Sequence, residues 1–378
     1  MNYTFQLYQT ASNLPENWDQ VVACKNMLLS KEYFQVLETS KPKNMKCFFG
    51  GFFLGEELIG GCLFQYLDFQ NHDTQQGKTI IFSIRNYITK ILVKNMLILG
   101  NNMLTGQNAF YFNANKISSE NSVLLLENAL QEIKIQIKKS SLTIIKDFSK
   151  TQILHFHQKI FKSYFKFSVQ PNMILKIRKP WRNFEDYSLD LSKKYSSRAG
   201  SARKKLEGIE KRELQLEDLK SNSALLHSLY QTVAENATIN TFFLPENHFA
   251  VLKQHLNDNF KVFGYFFEGN LIGFYTLILN GESIDTYFLG YDKTLQKEKK
   301  LYLNMLLDMV EFAITEKFST IIFGRTALEI KSTIGAEPEE IFGLIKHENL
   351  VINYFMNRIF PAIEPKTERL QRKPFKEN

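Results

Sequence analysis

Two stretches of the chain, 49-FGGFFLGEELIGGCLF-64 and 263-FGYFFEGNLIGFYTLI-278, follow one pattern. Each reads as a strand, a turn that contains a glycine, and a second strand that opens with Leu-Ile-Gly. The turns contain Gly55 and Gly269, and the first turn is one residue longer than the second. A glycine between two apolar runs is typical of a β-hairpin. The sequence therefore predicts two related hairpins, one in each half of the chain.

A second pair of similar segments follows the hairpins. In both 122-SVLLLENALQEIKIQIKKSSLTIIKDF-148 and 301-LYLNMLLDMVEFAITEKFSTIIFG-324, apolar residues recur at helical spacing, and a Ser or Thr then leads into a Thr-Ile-Ile strand. Hairpin, helix and strand thus recur in one order. We predict a tandem duplication of an α/β domain on this basis.

The repeat divides the chain of 378 residues into two domains. We predict an N-terminal domain over residues 1–170, a C-terminal domain over residues 171–365, and a charged, flexible tail over residues 366–378. The first domain has an insertion after its hairpin, which includes 79-TIIFSIRNYITKILVKNMLILG-100. That stretch fits either an amphipathic helix at a membrane interface or a core-packed helix followed by the strand MLILG.

Composition and charge limit the partners only loosely. The formal net charge of +8 permits an anionic partner such as phosphate, nucleic acid or a lipid surface, but does not require one. The cysteines Cys24, Cys47 and Cys62 form no C-x-x-C pair, so we predict no metal site. Three cysteines without a secretory signal favour reduced thiols and a cytoplasmic location.

A basic run follows Trp181, within 184-FEDYSLDLSKKYSSRAGSARKKLEGIEKREL-214, which we interpret as a helix, the basic run and then more helix. Such a cluster either holds phosphate groups or forms a solvated helical face. Its cations, with no acid among them, are Lys193, Lys194, Arg198, Arg203, Lys204 and Lys205.

The segment 284-IDTYFLGYD-292 continues the second hairpin as a strand. Alternation with period two predicts that Asp285, Tyr287 and Leu289 share one face. The opposite face would carry Ile284, Thr286 and Phe288. Asp285 is then either a general base in a cleft or a strand-edge carboxylate that faces water. The histidines form no metal set, and we interpret His248 and His255 as helix residues near a surface.

Charged residues also gather just past a predicted core strand, in 320-TIIFGRTALEIKSTIGAEP-338. Gly324 and Arg325 stand at the turn, and Glu329 and Lys331 follow. One hypothesis makes Lys331 an exposed side chain that reaches a cleft and meets a phosphate or a developing oxyanion, with Glu329 as its partner in an ion pair. The alternative is a helix start with charges that face solvent.

Together these segments resemble the FemABX-like branch of the GNAT-related acyltransferases, in particular the FemAB-type proteins of peptidoglycan biosynthesis or recognition. The resemblance spans most of the chain and is most specific in 195-YSSRAGSARKK-205 and 324-GRTALEIKSTIGAEP-338. The matching positions are Arg198, Arg203–Lys204, Gly269–Gly273, Gly290–Asp292, residues 301–317, Lys331 and Gly335–Ala336.

The resemblance implies two GNAT-like domains with the active-site cleft mainly in the second. It implies transfer of an acyl or aminoacyl group from acyl-CoA or aminoacyl-tRNA to a small-molecule or lipid-linked amine, without a metal. Contacts with tRNA and peripheral contact with a membrane would fit such substrates. The candidate catalytic residues are Lys331, Asp285 and Arg325. The candidate substrate-binding residues are Arg198, Arg203, Lys204, Tyr287 and Tyr291.

One segment departs from the pattern of GNAT enzymes that use acyl-CoA. Their pyrophosphate loop reads Arg/Gln-x-x-Gly-x-Gly/Ala, whereas this chain has 293-KTLQKEKKLYLN-304, without a glycine. The departure leaves the donor open. Two alternatives therefore stand beside the first hypothesis: transfer of a long acyl chain from CoA or acyl carrier protein to a lipid amine, and a non-catalytic recognition module on a degenerate GNAT fold.

Overall fold

The structure, a computed structural model, divides the chain into two compact units. It describes residues 2–69, 93–137, 140–168, 170–236, 240–363 and 371–376. The described residues of Met1–Gln170 and Glu340–Lys366 form the first unit, and those of Pro171–Glu339 and Thr367–Asn378 form the second. The helix predicted within 79–92 lies outside the described residues.

The first unit is built on a mixed sheet. Its strands are β1 (Tyr3–Tyr8), β2 (Met45–Leu54), β3 (Glu57–Asp68), β4 (Asn95–Leu99), β5 (Phe110–Phe112), β6 (Leu142–Phe148), β7 (Phe165–Ser168) and β15 (Phe342–His347). They lie in the order β1-β2-β3-β4-β6-β15-β7, with β5 also paired to β3. Its helices are α1 (Trp18–Val21), α2 (Lys31–Ser40), α3 (Ser119–Ile137), α12 (Leu350–Tyr354) and α13 (Met356–Ile363).

The second unit has a mixed sheet of its own. Its strands are β8 (Asn172–Lys176), β9 (Ile209–Glu213), β10 (Phe260–Phe267), β11 (Asn270–Asn280), β12 (Ser283–Tyr291), β13 (Thr320–Gly324) and β14 (Glu337–Glu339). They lie in the order β14-β8-β13-β12-β11-β10-β9. Its helices are α4 (Phe184–Asp190), α5 (Lys193–Lys204), α6 (Leu216–Ser221), α7 (Ser223–Ala234), α8 (His248–Leu256), α9 (Lys293–Lys299), α10 (Leu301–Thr315) and α11 (Leu328–Ser332).

The two units repeat one topology. In each, a hairpin pairs with a third antiparallel strand, a long helix follows, and the next strand joins the third strand in parallel. These elements are β2-β3-β4-α3-β6 and β10-β11-β12-α10-β13. The hairpin turns place Gly55 at φ +63° and Gly269 at φ +77°, where a Cβ would be unfavourable. The predicted fold class, a tandem duplication of mixed-sheet α/β domains, is confirmed.

The C-terminal part of the chain returns to the first unit. The sequence assigns residues 340–365 to the C-terminal domain, whereas β15 pairs with β6 and β7 in the first sheet. Helix α13 also lies there, with the ring of Phe360 4.8 Å from that of Phe167. Strand partners are set by hydrogen bonds across a sheet and not by nearness along the chain. The repeat pattern in the sequence could not reveal that β15 joins the sheet of the first unit.

The described part of the tail is packed against the second unit and does not extend as a flexible segment. The ring of Phe375 lies 5.4 Å from that of Trp181 and 6.2 Å from that of Tyr187. A Cβ at Gly335 would approach the same ring within 2.3 Å. The prediction of a flexible tail is therefore wrong for residues 371–376. Among the helices of the described residues, none is long and apolar enough to cross a membrane.

Candidate functional site

Two central strands of the second unit, β12 and β13, pair with each other only at one end and then separate. Strands β12 and β13 are parallel and pair over three positions, from Ser283–Thr320 to Asp285–Ile322. Past this point β12 stays with β11, and β13 stays with β8. Among the described residues, Asp285 is thus the last on β12 to pair with β13. Beyond Asp285 the two strands no longer pair with each other, and the N–H of Gly324 on β13 instead donates a 3.1 Å hydrogen bond to Oδ1 of Asn172.

A β-bulge lies next to this separation. Pairing between β11 and β12 shifts in register so that Thr276 faces both Tyr287 and Phe288. The Thr276 hydroxyl donates a 2.6 Å hydrogen bond to the carbonyl oxygen of Phe288. The bulge interrupts the alternation, so Leu289 joins Ile284 against the core. The predicted shared face of Asp285, Tyr287 and Leu289 is wrong for this reason.

Asp285 is buried, with 3% of its surface exposed. Burial raises the pKa of its carboxyl group to about 6, against a smaller lowering effect of the 3.2 Å hydrogen bond from the Asn280 amide. The alternative of a water-facing carboxylate at a strand edge is therefore wrong. A carboxyl group with a pKa just below neutral is suited to accept a proton at physiological pH.

Lys331 is also buried, with 4% exposed, so the prediction of an exposed side chain is wrong. Its Nζ donates hydrogen bonds to the carbonyl oxygens of Phe323, at 2.6 Å, and Gly324, at 3.4 Å. Burial lowers the pKa of its amine to about 7. Because these carbonyl groups end β13, Lys331 lies at the strand that parts from β12. The predicted ion pair with Glu329 is absent, since that carboxylate instead binds Arg372 at 2.7 Å.

Two further predicted residues lie on β12 and directly after β13. The hydroxyl of Tyr287 lies 2.9 Å from Nε2 of His248. His248 is buried on α8, so the surface position that the sequence suggested is wrong. Arg325 directly follows β13 and is half-buried. The His248–Tyr287 contact joins residues far apart in the chain, and no sequence spacing indicated it.

A cationic groove lies at the start of helix α10. Its volume is about 380 Å³, and its lining consists of Arg198, Ser201, Ala202, Gln296, Lys297, Lys300, Leu303 and Ile330. Lys300, between α9 and α10, has φ +52°, the left-handed conformation that a glycine favours. The first N–H groups of a helix lack partners within it and carry partial positive charge. The cationic lining and the helix start therefore complement a phosphate group.

The other candidate binding residues lie outside this groove. Lys204 is exposed on α5, and Tyr291 packs with its ring 6.3 Å from that of Tyr302. The guanidinium of Arg203 is engaged by the carboxylates of Asp308 and Glu311. Of the basic residues that the sequence proposed for binding, the structure brings Arg198 to the groove.

The Arg203 contact gives a prediction about stability. Asp308 is buried, accepts a hydrogen bond from the Tyr265 hydroxyl, and forms an ion pair with Lys211 at 3.1 Å. Arg203→Gln removes one cation from this buried carboxylate, so we expect a loss of about 1–3 kcal/mol in the free energy of unfolding. Urea unfolding measures it, with Lys204→Gln on the same helix as the control. Weaker phosphate binding at unchanged stability would contradict this structural role.

Comparison with known proteins supports the fold assignment. No family model matches the sequence, and no curated protein matches it. The structure resembles that of FemX, with a TM-score of 0.51 and 11% identity over 86% of this chain and 93% of that chain. It also resembles a tandem GNAT protein from the clavulanic acid biosynthesis pathway, with a TM-score of 0.51 and 7% identity over 92% and 98% of the two chains. The fold is that of the FemAB-like, GNAT-related acyltransferases.

Proposed function

We propose that this protein is an N-acyltransferase or aminoacyltransferase of the FemAB/GNAT type, which transfers an acyl group from a phosphate-bearing donor to an amine. The observation that carries the proposal is the parting of β12 from β13, with buried Asp285 at the last paired position. Lys331 holds the end of β13 beside it. The likeness to FemX and to a tandem GNAT protein supports the same reaction class.

The groove at α10 supplies the proposed donor site. Arg198, Lys297 and Lys300 line it together with the first turn of the helix, and their charges complement a phosphate group. Lys300 adopts the left-handed backbone conformation that a glycine commonly provides in the pyrophosphate loop of GNAT enzymes, and its side chain adds an ammonium group. The absence of glycine from this segment therefore does not exclude a phosphate-bearing donor.

The proposed chemistry needs no covalent intermediate on the protein. The amine nitrogen of the acceptor attacks the acyl carbonyl carbon, and the new C–N bond replaces the C–S bond of a thioester or the C–O bond of an aminoacyl ester. Asp285 accepts the proton that the amine loses. A protonated Lys331 uses two of its three N–H groups on main-chain carbonyls, and we assign the third to the developing oxyanion or the leaving group.

The test is an acylation assay in which the donor is varied. The purified protein is incubated with a panel of acyl-CoA thioesters or with charged tRNA, together with small-molecule and lipid-linked amines, and mass spectrometry identifies N-acylated products. Amide formation with either donor supports the proposal and identifies the donor. Ligand binding without turnover across both panels would instead favour a recognition module.

A charge-specific prediction concerns the groove. Lys300→Gly preserves the left-handed backbone and removes the ammonium, so we expect coenzyme A or pyrophosphate to bind about tenfold more weakly. Arg198→Gln should have a similar effect, because the side chain of Arg198 also lines the groove. Added salt should weaken the wild type more than either variant. Isothermal titration calorimetry measures the affinities.

The matched control is Lys204→Gln, which removes an exposed cation from the same helix as Arg198 but outside the groove. Its affinity should stay close to that of the wild type. An equal loss in all three variants would mean that binding follows net charge and not this groove.

A further inference from the structure

A patch of apolar side chains is exposed in the first unit, on α12 and at its junction with α13. The exposed fractions are 81% for Leu350, 67% for Val351, 79% for Tyr354 and 41% for Phe355. We call these residues the α12 patch. Contiguous exposed apolar side chains commonly mark a surface that contacts another molecule.

Contacts on the opposite side hold the patch outward. The side chain of Asn349 caps α12 by accepting hydrogen bonds from its first turn. The Asn353 amide donates a 2.9 Å hydrogen bond to the carbonyl oxygen of Ser163. The next helix, α13, packs the ring of Phe360 against that of Phe167. These contacts occupy Asn349, Asn353 and Phe360 and leave the side chains of the α12 patch exposed.

The charged residue that lies beside the α12 patch on its own segment is a cation. The stretch 350-LVINYFMNRIFPAI-363 contains one charged residue, Arg358, and no acid. The guanidinium of Arg358 lies 5.9 Å from the centre of the Phe355 ring. An apolar surface that carries an exposed arginine suits a partner that is apolar and anionic.

The carboxylate of Glu348, just before the patch, is neutralised by a lysine. Glu348 lies two residues before the patch, and its carboxylate forms a 2.7 Å ion pair with Lys134. A second copy of the chain fits the surface less well. A symmetric contact would bring Arg358 of both copies together, and a five-residue helix is small against the about 800 Å² per partner of a stable interface.

We infer that the α12 patch docks this protein on the surface of an anionic phospholipid bilayer. Leu350 and Val351 enter the boundary between head groups and acyl chains, and Tyr354 lies at the level of the head groups. Arg358 keeps its stem on apolar surface and its guanidinium on lipid phosphate. This docking is separate from acyl transfer, so it can be tested whatever reaction the second unit performs.

The experiment is co-sedimentation with vesicles of phosphatidylcholine that contain phosphatidylglycerol, and with vesicles of phosphatidylcholine alone. We expect the full chain to pellet with the anionic vesicles, and less so as salt is added. Leu350→Ser combined with Tyr354→Ser should lower the partition coefficient by about tenfold or more. Arg358→Gln should lower it by about fivefold on anionic vesicles.

The control is Leu189→Ser combined with Leu225→Ser, which removes two exposed apolar side chains from the second unit. It should bind as the wild type does. Equal binding by all variants, or none by the wild type, would overturn the inference. So would a dimer of the wild type in sedimentation velocity that the Leu350→Ser/Tyr354→Ser variant loses, because the patch would then join two copies.

Discussion

Asp285→Asn is expected to lower kcat/KM for amine acylation by about 10²–10⁴-fold, the usual contribution of a positioned general base. The amide has the shape of the carboxylic acid and cannot accept the proton. Because burial raises the pKa of Asp285 to about 6, the rate of the wild type should fall as pH drops through that value. The variant should lack this limb of the profile. Initial rates across a pH series measure both effects.

The stability of Asp285→Asn shows whether its loss of activity comes from the missing general base or from a misfolded site. The carboxyl pKa is raised on folding from 3.8 to about 6. The unfolded chain therefore loses this proton at a lower pH than the folded chain does, and ionisation destabilises the fold as pH rises through this window. Relative to Asp285→Asn, the wild type should lose stability between about pH 4 and pH 6. A variant that is inactive and also unstable at pH 7 would point to a structural role for Asp285.

Lys331→Met is expected to raise the barrier to acyl transfer by about 2–4 kcal/mol, the range for loss of one donor to an oxyanion. The apolar side chain fills similar space and leaves the carbonyl oxygens of Phe323 and Gly324 without this donor. Lys331→Arg should not restore activity, because a planar guanidinium does not replace a compact ammonium in a buried position. Single-turnover rates of the three proteins provide the measurement.

Stability against pH gives a second measurement for Lys331. Burial lowers its pKa from 10.5 to about 7, so between these values the unfolded chain binds more of this proton than the folded chain. The contribution of Lys331 to stability is thus greatest above pH 10.5 and declines as pH falls toward 7. The difference in unfolding free energy between wild type and Lys331→Met should follow this trend. Turnover equal to that of the wild type would remove Lys331 from the mechanism.

The duplicated fold could be predicted because its elements are encoded locally. The Leu-Ile-Gly hairpins and the apolar helices that lead into Thr-Ile-Ile strands keep their order in both halves. Each pattern depends on residues close together in the chain, and both β2–β3 and β10–β11 form the predicted hairpins. Turns at Gly55 and Gly269 need a left-handed φ, which the glycines themselves indicated.

The candidate site was predicted only in outline. The sequence singled out Asp285 and Lys331 as polar residues in or beside apolar strands, but left a water-facing Asp285 open and predicted an exposed Lys331, whereas both are buried. It also assigned Arg203 to ligand binding, whereas the carboxylates that engage Arg203 are on Asp308 and Glu311, 105 and 108 residues away. The sequence of a basic run is the same whether its side chains face solvent, a ligand or a buried acid, so it cannot distinguish these environments.

The sequence by itself determined the two hairpins, the two long helices and the duplicated α/β class, because hydrophobic period and turn residues act over a few positions. Only the tertiary structure decided that β15 enters the first sheet, that Phe375 packs beside Gly335, and that β12 and β13 part beyond Asp285. The β-bulge opposite Thr276 was likewise decided only by the tertiary structure. Burial, pKa and pairing are properties of what surrounds a residue, and those surroundings come from distant parts of the chain.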